Sequence, residues 1–506
     1  VALRVHDFIL PPPKSYVHPE MDFLNFFYQY NEIHHIMALN GGDEALAWKQ
    51  LEAVLRNYRN HGQDMHWIRS EIDWKLLDLM HKVGMRTDVV AGGVKVWDWF
   101  NQKNNSVSNL EERAIAQAAY YDRKIGHHNI FITYADEPVA RWWLTNRWVF
   151  DAFSKYGFKP MMWSDMFFNL LDEKADNFAE VQAKIPNSVK LVYWDYYSTD
   201  KKNYDEKITK NQRLCKDAWF AGGLWSWTGF APHNVYSIET TKAAFESCME
   251  HGVSSVFLTL WGDNGGECSR FALLPSLFYA SELAKGNHDE SLIKAKFQEK
   301  FGIAFDDFMW VDLLVSSYNG KERTCNPDKY ILYNDPLAGI MDSAIWDSCE
   351  EEYAQCAQSL AKLTEHSDFG FLFKTLKALS EVLAVKGDLG IQTRTAYKAG
   401  DKKTLQALLC RYEEVIEKTE AFYSSFREQW YLENKPHGFN VQDVRIGGVI
   451  MRLKNGKALL EEYLDGKIDK IEELEEDLLN CADFEVEPKK AVTFARWDEM
   501  TSVCKF

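Results

Sequence analysis

Strand and helix signals alternate eight times within the first 261 residues of this 506-residue chain, and no other feature restricts its folding as much. Short runs of β-branched and aromatic residues read as buried strands at Val1–Leu10, Ile33–Asn40, Met85–Gly93, Asn129–Glu137, Lys159–Asp165, Val189–Tyr197, Trp219–Trp227 and Val253–Trp261. Turn residues bound them: Pro11-Pro12-Pro13 closes the first, Gly41-Gly42 the second, and Pro138 follows the fourth. Helix-compatible stretches lie between, among them Ala45–Asn60, Ile72–Val83, Leu110–Lys124, Arg147–Tyr156 and Thr240–His251. Such alternation is the pattern of an α/β fold of the (β/α)8 TIM-barrel type. A doubly wound open sheet is the rival. It would normally carry a Gly-rich phosphate loop after an early strand, and neither GxGxxG nor GxxxxGK(S/T) occurs.

After Gly286 the strand signals fade. Glu350–His366, Phe371–Gly390, Lys403–Trp430 and Gly448–Asn480 carry apolar residues at three- and four-residue spacing, the mark of amphipathic helices. The expectation is a catalytic barrel over residues 1–285 and an α-helical C-terminal domain over 286–506.

In such barrels the chemistry sits at the C-terminal ends of the strands. Here those ends read Asp136-Glu137, Trp163-Ser164-Asp165, Trp194-Asp195-Tyr196-Tyr197, Trp225-Ser226-Trp227 and Trp261-Gly262-Asp263. Taken alone, Asp136-Glu137 is a solvated acidic turn, and each Trp alone is core filling. Five consecutive strand ends bearing Trp, Tyr, Asp or Glu form a set instead: indoles to stack a sugar ring, carboxylates to hold or protonate it. Successive strand residues face opposite ways, so Asp136 and Glu137 suit two different tasks. Asp43-Glu44 reads as a cap on the helix that follows.

A net charge of −17 argues against nucleic acid or an anionic membrane surface as partner. No apolar run approaches the ~20 residues that cross a bilayer. The nine Cys have no CxxC or other metal-ligand spacing. Neither a disulfide framework nor a metal or other cofactor is expected, and reduced thiols point to the cytosol.

Longer motifs then carry a resemblance. KYGFKPMMWSDMFF (155–168), VYWDYYSTDK (192–201), FAGGLWSWTGFAPH (220–233), TLWGDNGGE (259–267), NPDKYILYNDP (326–336) and ENKPHGFNVQDVRIGG (433–448) resemble family 20 glycoside hydrolases, specifically bacterial β-N-acetylhexosaminidases with a helical C-terminal domain. The resemblance implies an N-acetylhexosamine-terminated oligosaccharide as substrate, a homodimer, and retaining, substrate-assisted hydrolysis in which the sugar's 2-acetamido oxygen attacks C1. It implies that Glu137 is the general acid and base, that Asp136 orients the acetamido N–H, and that Tyr197, helped by Asp195, hydrogen-bonds the acetamido oxygen. Trp163, Trp194, Trp225, Trp227 and Trp261 would wall the sugar, Asp263 and Glu267 would hold its 4- and 6-hydroxyls, and Arg4 would reach it from the first strand.

The N-terminal third departs from the family pattern. The usual His-x-Gly-x precedes the Asp-Glu pair there; here Ile132-Thr133-Tyr134-Ala135 does. The family's first strand has an Arg after an Asp, whereas Asp7 is followed by Phe8-Ile9-Leu10. Asn40-Gly41 with Leu46-Ala47-Trp48 is similar to α-N-acetylglucosaminidases. Another exo-glycosidase on this barrel, or a non-catalytic carbohydrate-binding relative, therefore stays open.

Overall fold

A computed structural model describes residues 22–26, 42–60, 65–66, 74–85, 89–94, 112, 115–116, 118–119, 131–134, 148–157, 159–168, 177–185, 187, 189–253, 255–316, 324–434, 438–478, 490–497 and 500. Its strands are β1 (Asp22–Phe26), β2 (Met65–His66), β3 (Val89–Val94), β4 (Phe131–Tyr134), β5 (Lys159–Trp163), β6 (Lys190–Trp194), β7 (Trp219–Gly223) and β8 (Ser255–Thr259). They form one eight-stranded sheet in the order β2-β1-β8-β7-β6-β5-β4-β3, with every described pairing parallel. β2 and β3, the two ends of this order, come into contact.

Six of the eight expected strands fall where the residues placed them, with shorter bounds. The other two expectations, Val1–Leu10 and Ile33–Asn40, lie outside the described residues. The first two described strands are instead DFLNF at 22–26 and the dipeptide Met65-His66. Two residues are too few to carry a period-two signal, so β2 had nothing by which to be read. Among the described residues there are eight strands, of which Phe131–Tyr134 is the fourth.

The apolar runs of β7 and β8 are unbroken because both faces are covered: all five residues of each are buried. One face gathers Met161, Val192, Trp219, Ala221 and Phe257, with Trp163, Trp194 and Trp261 packed against them. The other gives Tyr193, Phe220, Val256 and Leu258 to the helical side. The Trp residues at the strand ends continue the first face by simple alternation.

The described helices of seven or more residues are α1 (Glu44–Asn60), α2 (Trp74–Lys82), α3 (Trp148–Lys155), α4 (Phe178–Lys184), α5 (Lys201–Leu214), α6 (Asn234–Glu250), α7 (Leu274–Ala284), α8 (Glu290–Phe301), α9 (Pro327–Tyr333), α10 (Cys349–Ala361), α11 (Gly370–Lys386), α12 (Leu389–Lys398), α13 (Lys402–Glu433) and α14 (Phe439–Leu464). Asp43 caps α1 as expected, its Oδ1 accepting the Leu46 N–H at 3.0 Å. α5 buries Tyr204, Ile208, Asn211 and Leu214, one stripe at helical spacing. From α9 onward the described residues are mostly helical, and α10, α11, α13 and α14 pack in succession. One continuous apolar core runs from Phe220 and Leu258 of the sheet through Tyr333, Leu379 and Phe426 of these helices. Among the described residues no helix is long and apolar enough to cross a membrane, and the cysteines are free thiols.

Candidate active site

The C-terminal ends of β5 to β8 lie side by side, since Trp163 pairs with Val192, Trp194 with Ala221, and Gly223 with Thr259. Just beyond them the aromatic residues form one connected group. The Trp194 indole stacks on Tyr196 with centroids 5.4 Å apart. Tyr196 meets Trp227 edge-on at 5.0 Å, and Trp227 stacks on Trp225 at 4.4 Å. Tyr197 stands edge-on to Trp225 at 5.2 Å. Tyr196 can lie there because β7 ends in glycine: a Cβ on Gly223 would stand 2.7 Å from its ring.

Within this group exposure separates wall from support. Tyr197 is 56% exposed, whereas Trp225 is 3% exposed. Trp163, Trp194, Trp227 and Trp261 are half-buried and keep part of their surface. Trp225, expected in the wall, has no face left for a sugar. Its Nε1 donates to the Tyr196 carbonyl at 2.9 Å, so it props the loop that carries the two tyrosines.

Asp195, expected at the substrate as the helper of Tyr197, stands behind that residue. It is 3% exposed. Oδ2 accepts from the Tyr193 hydroxyl at 2.7 Å and from Lys207 Nζ at 2.6 Å. Oδ1 accepts the Tyr197 backbone N–H at 3.0 Å. The carboxylate thus holds Tyr197 by its main chain and leaves the phenol free to face solvent. Burial first, then the Asp195 and Asp263 charges, raise the Tyr197 pKa against the opposing hydrogen bond from Tyr196. The phenol stays protonated and can donate.

Glu267 corrects the reading most clearly. Its side chain is 2% exposed, with Oε2 2.9 Å from Lys329 Nζ and Oε1 2.8 Å from an Arg445 guanidinium nitrogen. Both oxygens bind cations from the helical region, one on α9 and one on α14. A sugar hydroxyl has nowhere to enter. Gly265, at φ +119°, makes room: a Cβ there would lie 2.5 Å from Arg445 and 2.7 Å from Glu267. Asp263 is the carboxylate of this loop that reaches solvent. Burial of its surroundings raises its pKa, opposed by Arg270 and Lys329. Arg270 in turn donates to the Leu260 carbonyl at 2.6 Å and to the Trp261 carbonyl at 3.2 Å, fixing the end of β8.

Two tail motifs prove to be the braces of these loops. Asp328 Oδ2 accepts the Phe230 and Ala231 N–H groups at 2.6 and 2.8 Å. Asn326 Nδ2 donates to the Thr228 carbonyl at 2.8 Å. Ser269 Oγ donates to Glu433 Oε1 at 2.5 Å, and Gln442 Nε2 reaches the Gly265 carbonyl at 3.4 Å. The loop after β7 is therefore held by residues 326–328, and the loop after β8 by Lys329, Glu433, Gln442 and Arg445.

Asp136, Glu137 and Arg4 lie outside the described residues; in the chain Asp136 follows the end of β4 by two positions. Lys207, Tyr236, Arg270, Lys329 and Arg445 were given no task by the sequence reading. A single Lys, Arg or Tyr looks like solvated face or core until its partner, 10 residues away for Arg270 and 178 for Arg445, is known. Among the described residues no cluster of three or more His, Cys, Asp or Glu could hold a metal.

Residues 305–493 match the family model described as Glycoside Hydrolase 20C C-terminal domain. No curated protein matches the chain. Among solved structures, the chain is similar to a GH138 enzyme targeting pectin rhamnogalacturonan II, at 8% identity and a TM-score of 0.49 over 82% of this chain and 79% of that one. It is also similar to CpGH84B, at 9% identity and a TM-score of 0.41 over 87% and 77%.

Proposed function

We propose that this chain, which carries the C-terminal domain of glycoside hydrolase family 20C across residues 305–493, is an exo-acting β-N-acetylhexosaminidase. On this reading the sheet closes between β2 and β3 into a (β/α)8 barrel, and the enzyme removes terminal N-acetylglucosamine or N-acetylgalactosamine with retention. The observation that carries it is Tyr197: an exposed phenol with a raised pKa, ringed by indoles at the strand ends, in a chain bearing that domain. A donor of this kind suits the acetamido oxygen, because a hydrogen bond to it holds the group in line for attack on C1.

Glu137, three positions past β4, protonates the leaving oxygen and then activates water. Asp136, its neighbour in the chain, braces the acetamido N–H. Half-buried Trp163, Trp194, Trp227 and Trp261 line the ring and acetyl methyl, and Asp263 takes the hydroxyl role that Glu267 has no free oxygen to fill. The functional unit is a homodimer, measurable as mass in solution by light scattering.

The test is release of 4-nitrophenol from its β-N-acetylglucosaminide, set beside the α-anomer and the plain β-glucoside. The β-N-acetyl substrate should be cleaved well, the other two poorly, and Glu137→Gln should lose about 10²–10⁴-fold in kcat. A thiazoline analogue of N-acetylglucosamine should inhibit strongly, because it resembles the cyclised intermediate. Cleavage of the plain β-glucoside with indifference to the thiazoline points to an enzyme nucleophile. Sugar binding without turnover points to a lectin-like relative.

A further inference from the structure

Tyr197 lies on two consecutive peptides that are gripped from three directions. Asp195 Oδ1 takes its N–H at 3.0 Å, Trp225 Nε1 holds the carbonyl before it at 2.9 Å, and the Tyr236 hydroxyl donates to its own carbonyl at 2.5 Å. Its ring, exposed on one side, touches Tyr196 and Trp225, and the main chain sets where that ring starts from and hence where the phenol stands. The Asp195 grip is backed by three further donors, Tyr193, Lys207 and Asn203. The Tyr236 grip is a single hydroxyl on the first turn of α6. That turn is itself anchored: Asp312 accepts the Val235 N–H at 2.9 Å and Asn234 Nδ2 at 2.8 Å. The Tyr236 ring packs on Trp225 at 5.4 Å, which aims the hydroxyl at the Tyr197 carbonyl.

We propose that Tyr236 is a positioning residue: its hydroxyl fixes the Tyr197 peptide so that the Tyr197 phenol is aligned with the substrate's acyl oxygen. This rests on Tyr197 being the acetamido donor. Tyr236 does not touch the reacting atoms; it acts through Tyr197. An error of a fraction of an ångström at the donor lets the acyl oxygen leave its line of attack on C1, so the loss falls on kcat more than on substrate binding.

The experiment is a double-mutant cycle with Tyr236→Phe and Tyr197→Phe, assayed on 4-nitrophenyl β-N-acetylglucosaminide. Phenylalanine keeps the ring against Trp225 and removes one oxygen. Tyr236→Phe should lower kcat roughly five- to tenfold, as for one lost hydrogen bond, with KM changed less than about twofold. In the Tyr197→Phe background the second substitution should do nothing more. An equal loss in both backgrounds, or a Tyr236→Phe enzyme with wild-type kcat, overturns the proposal. A wild-type chain inactive on this substrate overturns the proposed function and this inference together. A slow Tyr197→Phe enzyme beside an unimpaired Tyr236→Phe enzyme overturns the inference alone.

Discussion

A carboxylate with both oxygens on buried cations has no lone pair facing a ligand, and Glu267 is in that state. Asp263, four residues earlier, reaches solvent. The pair predicts a clean separation of phenotypes. Glu267→Gln leaves Lys329 and Arg445 uncompensated in the interior, which should lower stability by about 3–5 kcal/mol in denaturant titration. Asp263→Asn should leave stability nearly unchanged and raise KM for the sugar. A Glu267→Gln protein with wild-type stability and a raised KM returns the substrate role to Glu267. Gly223→Ala is a second test at this scale. Its Cβ would drive into the Tyr196 ring, so overpacking should cost about 1–3 kcal/mol and lower kcat by displacing the Tyr196–Tyr197 loop. At single positions the residues told part of the story in advance. Tyr197 and the indoles stood out in the sequence because aromatic residues recur at successive strand ends. The tasks of Glu267 and Trp225 were not legible, because their partners come from other elements, and one sequence does not show which distant Lys, Arg or carbonyl arrives.

At the scale of elements, α9 and its approach are the joint between the two halves of the chain. Asp328, wholly buried, accepts two backbone N–H groups from the loop after β7, and burial pushes its pKa up to about 7. Asp312, which anchors the first turn of α6, is pushed up to about 7 for the same reason. The unfolded chain loses these protons near pH ~4, whereas the folded protein keeps them to about 7. Between those values the folded state binds more protons, so their stabilisation is complete below pH ~4 and declines as pH rises to about 7. Thermal midpoints should therefore fall from pH 5 to pH 8, and Asp328→Asn should flatten part of that slope. A midpoint that climbs across the same window, or a slope untouched by Asp328→Asn, contradicts this account. The motif NPDKY was visible in the sequence only as a resemblance. Its physical task became clear once Asn326, Asp328 and Lys329 were seen to meet three different parts of the sheet's loops.

At the scale of the whole molecule, the helical region completes the sheet rather than accompanying it. The apolar core passes without a break from Phe220 and Leu258 into Tyr333, Leu379 and Phe426. The loops after β7 and β8 are hydrogen-bonded or ion-paired to α9, α13 and α14. Cutting at Gly286 would expose that shared face and strand Glu267 without either cation. A chain of residues 1–285 should accordingly be insoluble or loosely packed, with weak near-ultraviolet circular dichroism and no turnover. The intact chain carries a stricter expectation. When two regions share one core, neither can lose its packing while the other keeps it, so calorimetry should show a single transition. Its van't Hoff enthalpy should approach the calorimetric one. Disruption of the joint, by Lys329→Met with Arg445→Met, should split that transition or lower it as a unit; in both cases the β8 loop loosens and KM for the sugar rises. Two well-separated transitions in the unaltered chain, with activity lost only in the first, would show that the helices fold as an independent unit and that the joint is an ordinary domain contact.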